Sequence, residues 1–357
     1  MILLTGATGT VGAAVLSRLT AATEPVRCLV RDPRRLGAQR VRVQIALGDL
    51  ADAASFRNAL RGVDTVVHLA ASSRDQQRAS LEELSAMATL RLVRAAERSG
   101  VSRFVFFSAL GASLQSPARL LRAKALARRA VEASELESIV FAPSIVYAPG
   151  EDWLTLLTRF SHLPAIPVSG PGRALFQPIW AEDVADCVAA ALTLPAAERR
   201  EREQRSPIAA GAAQPDRLSG EHRTEDLARA STAPRTSRGR APHRGPRAGE
   251  HRTEGLARAS TAPRSSFELA GPETLSYEAI VRLALRALDR GRPLVSLPRP
   301  LVRACLRVVE RLAGPAAFAT WAEAELLDAP MISARGTADA ESLWVTPLRM
   351  AAMLGGS

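Results

Sequence analysis

Met1 to Gly12, MILLTGATGTVG, is the stretch that decides the fold. The apolar run Ile2 to Leu4 is too short for a helix and ends at a glycine turn, which is typical of a buried parallel strand leading into a helix. Gly6, Gly9 and Gly12 then follow at three-residue spacing. The first permits the tight bend, the second lets a pyrophosphate approach the backbone, and the third lets the helix pack on the strand. We therefore predict a dinucleotide-binding turn, with the anion at the helix N-terminus.

Short apolar runs and helical segments alternate along the rest of the first 150 residues. After the first strand, the predicted strands are 26–30, 41–46, 63–69, 103–108 and 138–141. The predicted helices between them are 13–19, 52–60, 81–99 and 118–134. This alternation predicts an α/β fold with a Rossmann-type, doubly wound parallel sheet of six strands. We expect His68, inside the fourth strand, to be a core residue rather than a catalyst.

Beyond residue 150 the pattern leaves the sheet and returns to it, which predicts a small interleaved C-terminal lobe. We assign residues 1–150 and 177–198 to the Rossmann domain and residues 151–176 and 266–357 to the lobe. In the lobe, Ser276 is expected to cap a helix at 277–289. The arginine-studded amphipathic segment 300–312 has two interpretations, a helix resting on a membrane surface or the core face of an ordinary surface helix.

An internal repeat interrupts this order. Ser219 to Arg235 returns as Ala248 to Arg264 with 15 of 17 positions identical and a displacement of 29 residues. Two copies without an apolar face do not make a solenoid. We therefore predict that residues 205–264 form a disordered Arg-rich insertion in a surface loop, where added length costs little free energy.

Composition limits the class of protein. The 357 residues are 47% hydrophobic and carry a formal charge of +11. Residues 205–264 hold twelve Arg against six Asp and Glu, so this segment accounts for +6 and has no aromatic residue to stack on bases. We expect no specific nucleic-acid partner.

Three widely separated cysteines favour neither a disulfide framework nor a metal site, and we expect no metal. We see no secretory leader and no transmembrane segment, which predicts a cytoplasmic protein.

Two basic positions bear on the cofactor. Arg31 follows the predicted second strand, where an arginine accommodates the 2′-phosphate of NADP(H) and an acidic residue binds the 2′-hydroxyl of NAD(H). We favour NADP(H), while the neighbouring Asp32 keeps NAD(H) open. Lys124 is the single lysine among 47 basic side chains, so it marks a position where an arginine does not serve.

Motifs along the chain resemble the short-chain dehydrogenase/reductases in their extended or atypical form, of the NAD-dependent epimerase/dehydratase type. They are TGATGTVG (5–12), GDL (48–50), HLAA (68–71), FVFFSALGA (104–112), Lys124, APSIVYAPG (142–150), QPIWAEDVADCVAAAL (177–192) and ELAGPETLSYEAI (268–280). The last two look like the branch that contains the nucleotide-binding accessory subunit of respiratory complex I and NmrA-like proteins.

The resemblance implies site residues. The cofactor-binding residues expected from it and from the turn are Gly6, Thr8, Gly9, Val11, Gly12, Arg31, Asp49, Leu50, Ala70, Ala71, Lys124 and Pro143. The family's active members carry a tyrosine four residues before the lysine, and position 120 is leucine here. We therefore name Ser108, Lys124 and Tyr147 as the candidate catalytic residues, with Tyr147 as a displaced acid or a structural residue.

Two functions stay open because leucine has no proton to give. The first is an NAD(P)(H)-dependent oxidoreductase or epimerase-like enzyme acting on a small molecule that the sequence does not identify. The second is a non-catalytic cofactor-binding redox sensor or accessory subunit of a larger, respiratory-type assembly. Peripheral membrane or complex association through the C-terminal helices stays open with either function.

Overall fold

The computed structural model describes residues 1–22, 24–76, 79–205 and 262–355. Numbered in chain order, the strands are β1 Ile2–Thr5, β2 Val26–Val30, β3 Gln44–Leu47, β4 Thr65–His68, β5 Arg103–Phe107, β6 Glu137–Pro143, β7 Val146–Tyr147, β8 Ile166–Ser169, β9 Leu175–Phe176, β10 Ile179–Trp180, β11 Arg264–Leu269, β12 Leu275–Ser276 and β13 Leu294–Leu297.

The helices surround these strands. They are α1 Thr10–Ala21, α2 Ala53–Phe56, α3 Ala88–Arg98, α4 Arg119–Glu132, α5 Asp152–Phe160, α6 Ala181–Thr193, α7 Ala196–Arg205, α8 Tyr277–Ala287, α9 Arg299–Ala313, α10 Trp321–Leu326, α11 Ala338–Ser342 and α12 Met350–Gly355. Three 3₁₀ segments, Pro33–Val41, Arg57–Leu60 and Gly314–Ala316, and a π-helical turn at Glu83–Met87 complete the elements.

The main sheet is parallel throughout, in the order β11-β6-β5-β4-β1-β2-β3. The predicted Rossmann-type doubly wound sheet is confirmed. Since the strand order reverses between β1 and β4, the carboxyl ends of these two strands border the crevice where such sheets bind ligands. The glycine turn after β1 stands at that crevice.

Alternation along the strands explains why both faces are covered. Leu4 packs in the core cluster that contains α1 and α6, while Leu3 packs in the cluster that contains α3 and α4. Val105 and its neighbours Phe104 and Phe106 divide between the same two clusters. Strands buried on both faces read as continuous apolar runs, which is how the sequence revealed them.

Several element predictions need correction. The sheet has seven strands rather than six, because Arg264–Leu269 adds to the edge beside β6 after the repeat. The predicted insertion 205–264 therefore ends earlier, and Arg205 also belongs to α7. Residues 206–261, with nearly all of the repeat, lie outside the described residues, and their predicted disorder stays a prediction. The third strand is Gln44–Leu47 rather than 41–46, because Pro33–Val41 forms a 3₁₀ segment first.

The smaller elements lie beside the main sheet, and the predicted division into a Rossmann domain and a lobe stays a prediction. Three two-stranded pairs, β10 with β7, β12 with β9 and β13 with β8, alternate with α5 and α8. Ser276 caps α8 by accepting a hydrogen bond from the Ala279 N–H, as predicted. Helix α9 has no fully buried side chain, but Val302, Leu306 and Val309 are half-buried along one stripe, so both interpretations of the sequence stay open.

His68 is a core residue, as predicted. Its ring nitrogens lie 2.6 Å from Thr5 Oγ1 and 2.9 Å from Thr89 Oγ1. Burial, with a smaller effect of the Lys124 charge, lowers the pKa of His68 to about 3. The imidazole is therefore neutral in the folded protein at neutral pH.

This pKa predicts a pH dependence of stability. Between pH 6.5 and 3 the unfolded chain binds a proton at His68 that the folded protein excludes, so stability falls as pH falls through this window. A His68→Gln variant should lose about 2 kcal/mol less free energy of unfolding between pH 7 and pH 5 than the unaltered protein. Denaturant unfolding at both pH values tests this, with exposed His162→Gln as the control. Equal losses in all three proteins would contradict the pKa.

Candidate functional site

The turn after β1 is closed on two sides by backbone. Gly6 has φ +78°, and a Cβ there would lie 2.6 Å from the Ala70 nitrogen. A Cβ at Gly12 would overlap the Gly6 carbonyl oxygen and lie 2.9 Å from Ala7 Cα. Glycine is therefore required at both positions, since backbone atoms on either side leave no room for a side chain.

Gly9 differs from the other two glycines because its front is open. A Cβ there would meet only the Gly6 oxygen, at 3.5 Å. Gly9 is the N-cap of α1, and no side chain caps this helix. The first N–H groups of a helix have no intrahelical acceptor, so those of Thr10, Val11 and Gly12 are available to an anion at Gly9. An open cradle at a helix N-terminus fits the pyrophosphate of a dinucleotide.

The end of β2 presents a cation at the crevice. Arg31 is exposed, and its guanidinium donates to Gln76 Oε1 at 3.1 Å. Gln76 comes from the loop after β4, so this contact joins the two loops on either side of β1. Asp32 is the N-cap of the 3₁₀ segment, where its carboxylate accepts from the Arg34 N–H at 3.0 Å. Sequence reasoning missed Gln76, which no motif marks.

The remaining predicted cofactor residues lie on turns along the same edge. Asp49 holds its own turn, with its carboxylate accepting from the Ala51 N–H at 2.9 Å. Leu50 is half-buried against the α3 side of the sheet. Ala70 abuts Gly6 and Ala71 is exposed. Thr8 is half-buried within the glycine turn itself.

Lys124 reaches from α4 to the carboxyl end of β5. Its side chain is buried, and Nζ donates to the Phe107 carbonyl oxygen at 2.5 Å and lies 5.3 Å from the centre of the Phe106 ring. Burial lowers the pKa of Lys124 to about 8. A buried cation is costly unless it serves a purpose, so this ammonium is a strong candidate for a functional group.

Ser108 follows directly after the carbonyl that Lys124 binds. Its backbone N–H donates to the Phe141 oxygen at 2.8 Å, and two residues later Leu110 donates to the Pro143 oxygen at 2.9 Å. The Ser108 hydroxyl is buried and has no hydrogen-bond partner within the described residues. Buried hydroxyls are normally paired, so this one is available to a ligand.

The residue at position 120, a leucine, lies in apolar surroundings. Leu120 packs beside Leu81, Ala86, Ala123 and Ala322. Ala322 belongs to helix α10, so this helix contributes to the cluster around position 120, where the family's tyrosine would stand. No proton donor is available from this residue.

Tyr147 is buried in a cluster that also contains Leu110, Ala142 and Phe176. Its strand pairs with β10, and its ring centre lies 5.2 Å from that of Trp180, edge-on. Its hydroxyl has no partner among the described residues. Burial raises the pKa of Tyr147, with Asp183 and Glu273 adding to the effect. In the described chain no hydrogen bond or ring contact joins Tyr147 to Ser108 or Lys124.

Polar contacts hold α10 over this region. Glu323 accepts from Arg74 and from the Ser73 hydroxyl, each at 2.8 Å. Glu325 accepts from the Arg119 N–H at 3.2 Å. These contacts join residues that are far apart in the sequence and belong to no recognisable motif, so the sequence did not predict them. Residues 1–22, 24–76, 79–205 and 262–355 contain no group of three or more His, Cys, Asp and Glu that would hold a metal ion.

A Rossmann sheet with a glycine cradle at its switch point defines a dinucleotide-binding protein. The chain belongs to the NAD(P)H-binding family whose model matches residues 6–195. The predicted likeness to atypical short-chain dehydrogenase/reductases is confirmed, because the relatives include complex I subunits and the solved neighbours include epimerases and reductases.

Two curated relatives illustrate the match. The "sterol demethylase protein B" of Methylococcus capsulatus is 41% identical over 113 residues, which are 31% of this chain and 34% of that protein. Subunit 9 of the NADH dehydrogenase (ubiquinone) 1 alpha subcomplex of Arabidopsis thaliana, a mitochondrial protein, is 30% identical over 149 residues, which are 40% of this chain and 36% of the relative. The chain spans about a third to a half of the length of the curated relatives it matches.

Solved structures extend the likeness in fold. An NADPH-dependent quinone oxidoreductase of Escherichia coli, solved with NADPH, superposes with a TM-score of 0.63 at 16% identity, covering 100% of this chain and 99% of that one. The triphenylmethane reductase of Citrobacter, solved with NADP(H), superposes at 0.62 and 14% identity, with 100% and 99% covered. Within the described residues, every helix is too short or too polar to cross a membrane.

Proposed function

We propose that this chain binds NADP(H) at the glycine cradle and reduces a small electrophilic acceptor at Ser108. The observation that carries the proposal is the buried Ser108 hydroxyl, which has no partner among the described residues and directly follows Phe107, whose carbonyl accepts from the Lys124 ammonium. Both groups stand at the carboxyl end of β5, the edge at which open parallel sheets bind ligands.

The surroundings of Arg31 support NADP(H) over NAD(H). The guanidinium is exposed at the end of β2 and is steadied by Gln76, where a 2′-phosphate would accept its fork of donors. Asp32, the alternative ribose ligand, already accepts from the Arg34 N–H as a helix cap. Because the Asp32 carboxylate is already hydrogen-bonded, Arg31 is the residue at this position that would contact the ribose or its 2′-phosphate.

An Arg31→Ala variant should bind NADPH about tenfold or more weakly, because one charge-assisted contact with the 2′-phosphate is lost. NADH affinity should stay within about twofold of the unaltered value, since NADH lacks that phosphate. Nicotinamide fluorescence titrations measure both. Arg40→Ala removes an exposed charge from the same 3₁₀ segment and is the control. Equal weakening for both nucleotides would contradict the assignment of Arg31.

The chain's own groups would act on the acceptor as follows. Bound NADPH supplies a hydride. The Ser108 hydroxyl donates a hydrogen bond to the acceptor oxygen or nitrogen that gains charge. Lys124 holds the nicotinamide ribose, and Leu120 transfers no proton. Acceptors that stabilise negative charge themselves suit such a site, and relatives named as a quinone oxidoreductase and an NAD(P)H azoreductase support a quinone or azo acceptor.

A Ser108→Ala variant tests the enzymatic proposal. We expect kcat/KM for quinone reduction by NADPH to fall by about 10- to 100-fold, because a donor to the developing charge is removed. Ser138→Ala is the matched control. Ser138 is also a buried serine with an unpartnered hydroxyl, but it lies at the start of β6, at the edge of the sheet opposite to Ser108. Equal rates in all three proteins, or no rate in any, would reject Ser108 as the reacting site.

A non-catalytic role is the second candidate. Leu120 under α10 favours it, and the relatives include a complex I subunit. A Leu120→Tyr variant separates the two functions. Carbonyl reduction in the variant alone would support a cofactor-holding module that has lost catalysis, while turnover in the unaltered protein would reject that role.

Location and assembly remain proposals. Helix α9 buries no side chain and exposes Leu301, Val308 and Leu312 beside its arginines. An amphipathic basic helix of this kind fits a peripheral membrane or subunit contact. We also propose that the lobe at 151–176 and from residue 270 onward encloses the acceptor, and that the protein acts in the cytoplasm.

A further inference from the structure

A cavity lies between helices α9 and α10 and the loops at the edge of the sheet. It has a volume of about 520 Å³ and opens between the loop after β4, the start of α4, and helices α9 and α10. This volume is within the range of small-molecule sites. Five arginines line it, Arg74, Arg119, Arg122, Arg303 and Arg307. Three carboxylates also line it, Asp75, Glu310 and Glu325. Gly6, Gly9, Gly12, Ser108 and Lys124 are not in its wall.

The three carboxylates already have donors. Asp75 pairs with Arg119 at 2.9 Å. Glu310 accepts from the Trp321 N–H at 2.5 Å, and Glu325 accepts from the backbone of Arg119. Arg74 is likewise paired, with Glu323. The acidic side chains are therefore committed to holding α9, α10 and the loop after β4 together.

Three guanidinium groups in the wall remain without a carboxylate. Arg122 donates to the carbonyls of Ser116 and Pro117. Arg303 lies 5.5 Å from the centre of the Trp321 ring. Arg307 follows Arg303 by one helical turn, which puts the two on the same ridge of α9. Nowhere in residues 1–22, 24–76, 79–205 or 262–355 does a carboxylate form an ion pair with Arg122, Arg303 or Arg307.

We propose that this cavity binds a phosphate-bearing anion, held by Arg122 from α4 and by Arg303 and Arg307 from α9. Guanidinium forks match phosphate oxygens two at a time, and arginines converging from two helices surround such a group better than a single charge would. A soluble phosphate ester and a phospholipid headgroup share this chemistry. The cavity wall includes Gln76, which also accepts from Arg31, but none of the glycine-turn residues, Ser108 or Lys124.

Calorimetric titration with inorganic pyrophosphate tests the cavity. Arg303→Ala/Arg307→Ala should bind pyrophosphate at least about tenfold more weakly than the unaltered protein. Arg299→Ala/Arg311→Ala is the matched control, because it removes the same charge from the same helix at positions outside the cavity wall, and it should bind normally. All titrations contain saturating NADPH, which occupies the glycine cradle, so that the pyrophosphate measured is bound elsewhere.

Vesicle binding distinguishes the two sources of phosphate. Vesicles of phosphatidylcholine with phosphatidylglycerol, and of phosphatidylcholine alone, are sedimented with each variant. Pyrophosphate binding that is lost only in Arg303→Ala/Arg307→Ala supports a soluble ligand. Binding confined to phosphatidylglycerol vesicles, with the same variant dependence, supports a headgroup. Equal loss in both double variants, or binding to neither probe, would overturn the proposal.

Discussion

Gly12→Ala is expected to lower the free energy of unfolding by about 3 kcal/mol and to abolish measurable NADPH binding. The added Cβ would overlap the Gly6 carbonyl and press on Ala7 Cα at 2.9 Å. Both contacts are with backbone atoms, which cannot rotate away as a side chain can. The steric overlap is therefore removed only if the glycine turn moves away from α1. Moving the turn also moves the N–H groups that an anion would use.

Gly9→Ala is the matched variant and separates folding from binding. Its Cβ meets only the Gly6 oxygen, at 3.5 Å, and the Gly9 φ of −87° is open to alanine. Stability should change by about 1 kcal/mol or less, while NADPH affinity falls by about tenfold or more, because the methyl group stands where the pyrophosphate would lie. Denaturant unfolding and nicotinamide fluorescence measure the two effects. Equal stability of all three proteins would contradict the close packing at Gly12.

Lys124→Met is the second variant with a large expected effect. Methionine nearly matches the length of lysine but cannot donate to the ribose hydroxyls, so NADPH affinity should fall by about 10- to 100-fold. Arg128→Met is the control, because it replaces a cation on the same helix that pairs with Glu132 instead. Unchanged NADPH binding in Lys124→Met would remove Lys124 from the cofactor site.

The pKa of Lys124 adds a stability test for the same variant. Burial lowers this pKa to about 8, below the ordinary value of 10.5. Below pH 8 the ammonium is charged in both the folded and unfolded states, so its full burial cost is present. Between pH 8 and 10.5 only the unfolded chain holds the proton, and the folded state gains stability as pH rises. Relative to Lys124→Met, the unaltered protein should therefore become more stable across this window. A constant difference would contradict the pKa.

Much of the fold followed from local pattern. Strands buried on both faces read as apolar runs, and the glycine spacing predicted the dinucleotide-binding turn after the first strand. The seventh strand was missed because Arg264, Ser265 and Ser266 begin it with polar residues, and because a long insertion separates it from its partner β6. Its pairing depends on tertiary contact rather than on its own sequence.

The site was predictable only in part. Lys124 was found because it is the single lysine, and the structure places it beside Ser108. The displaced-acid interpretation of Tyr147 stays a prediction: its ring packs edge-on against Trp180, and its hydroxyl has no partner among the described residues. The packing of α10 near Leu120 could not be predicted from the sequence, because it brings together residues about 200 positions apart.

The most direct test of the account is a titration of the purified protein with NADPH and with NADH, followed by nicotinamide fluorescence. The account predicts saturable binding of NADPH, tighter than binding of NADH, and weakened by both Arg31→Ala and Lys124→Met. Binding of neither nucleotide by the folded, unaltered protein would contradict it.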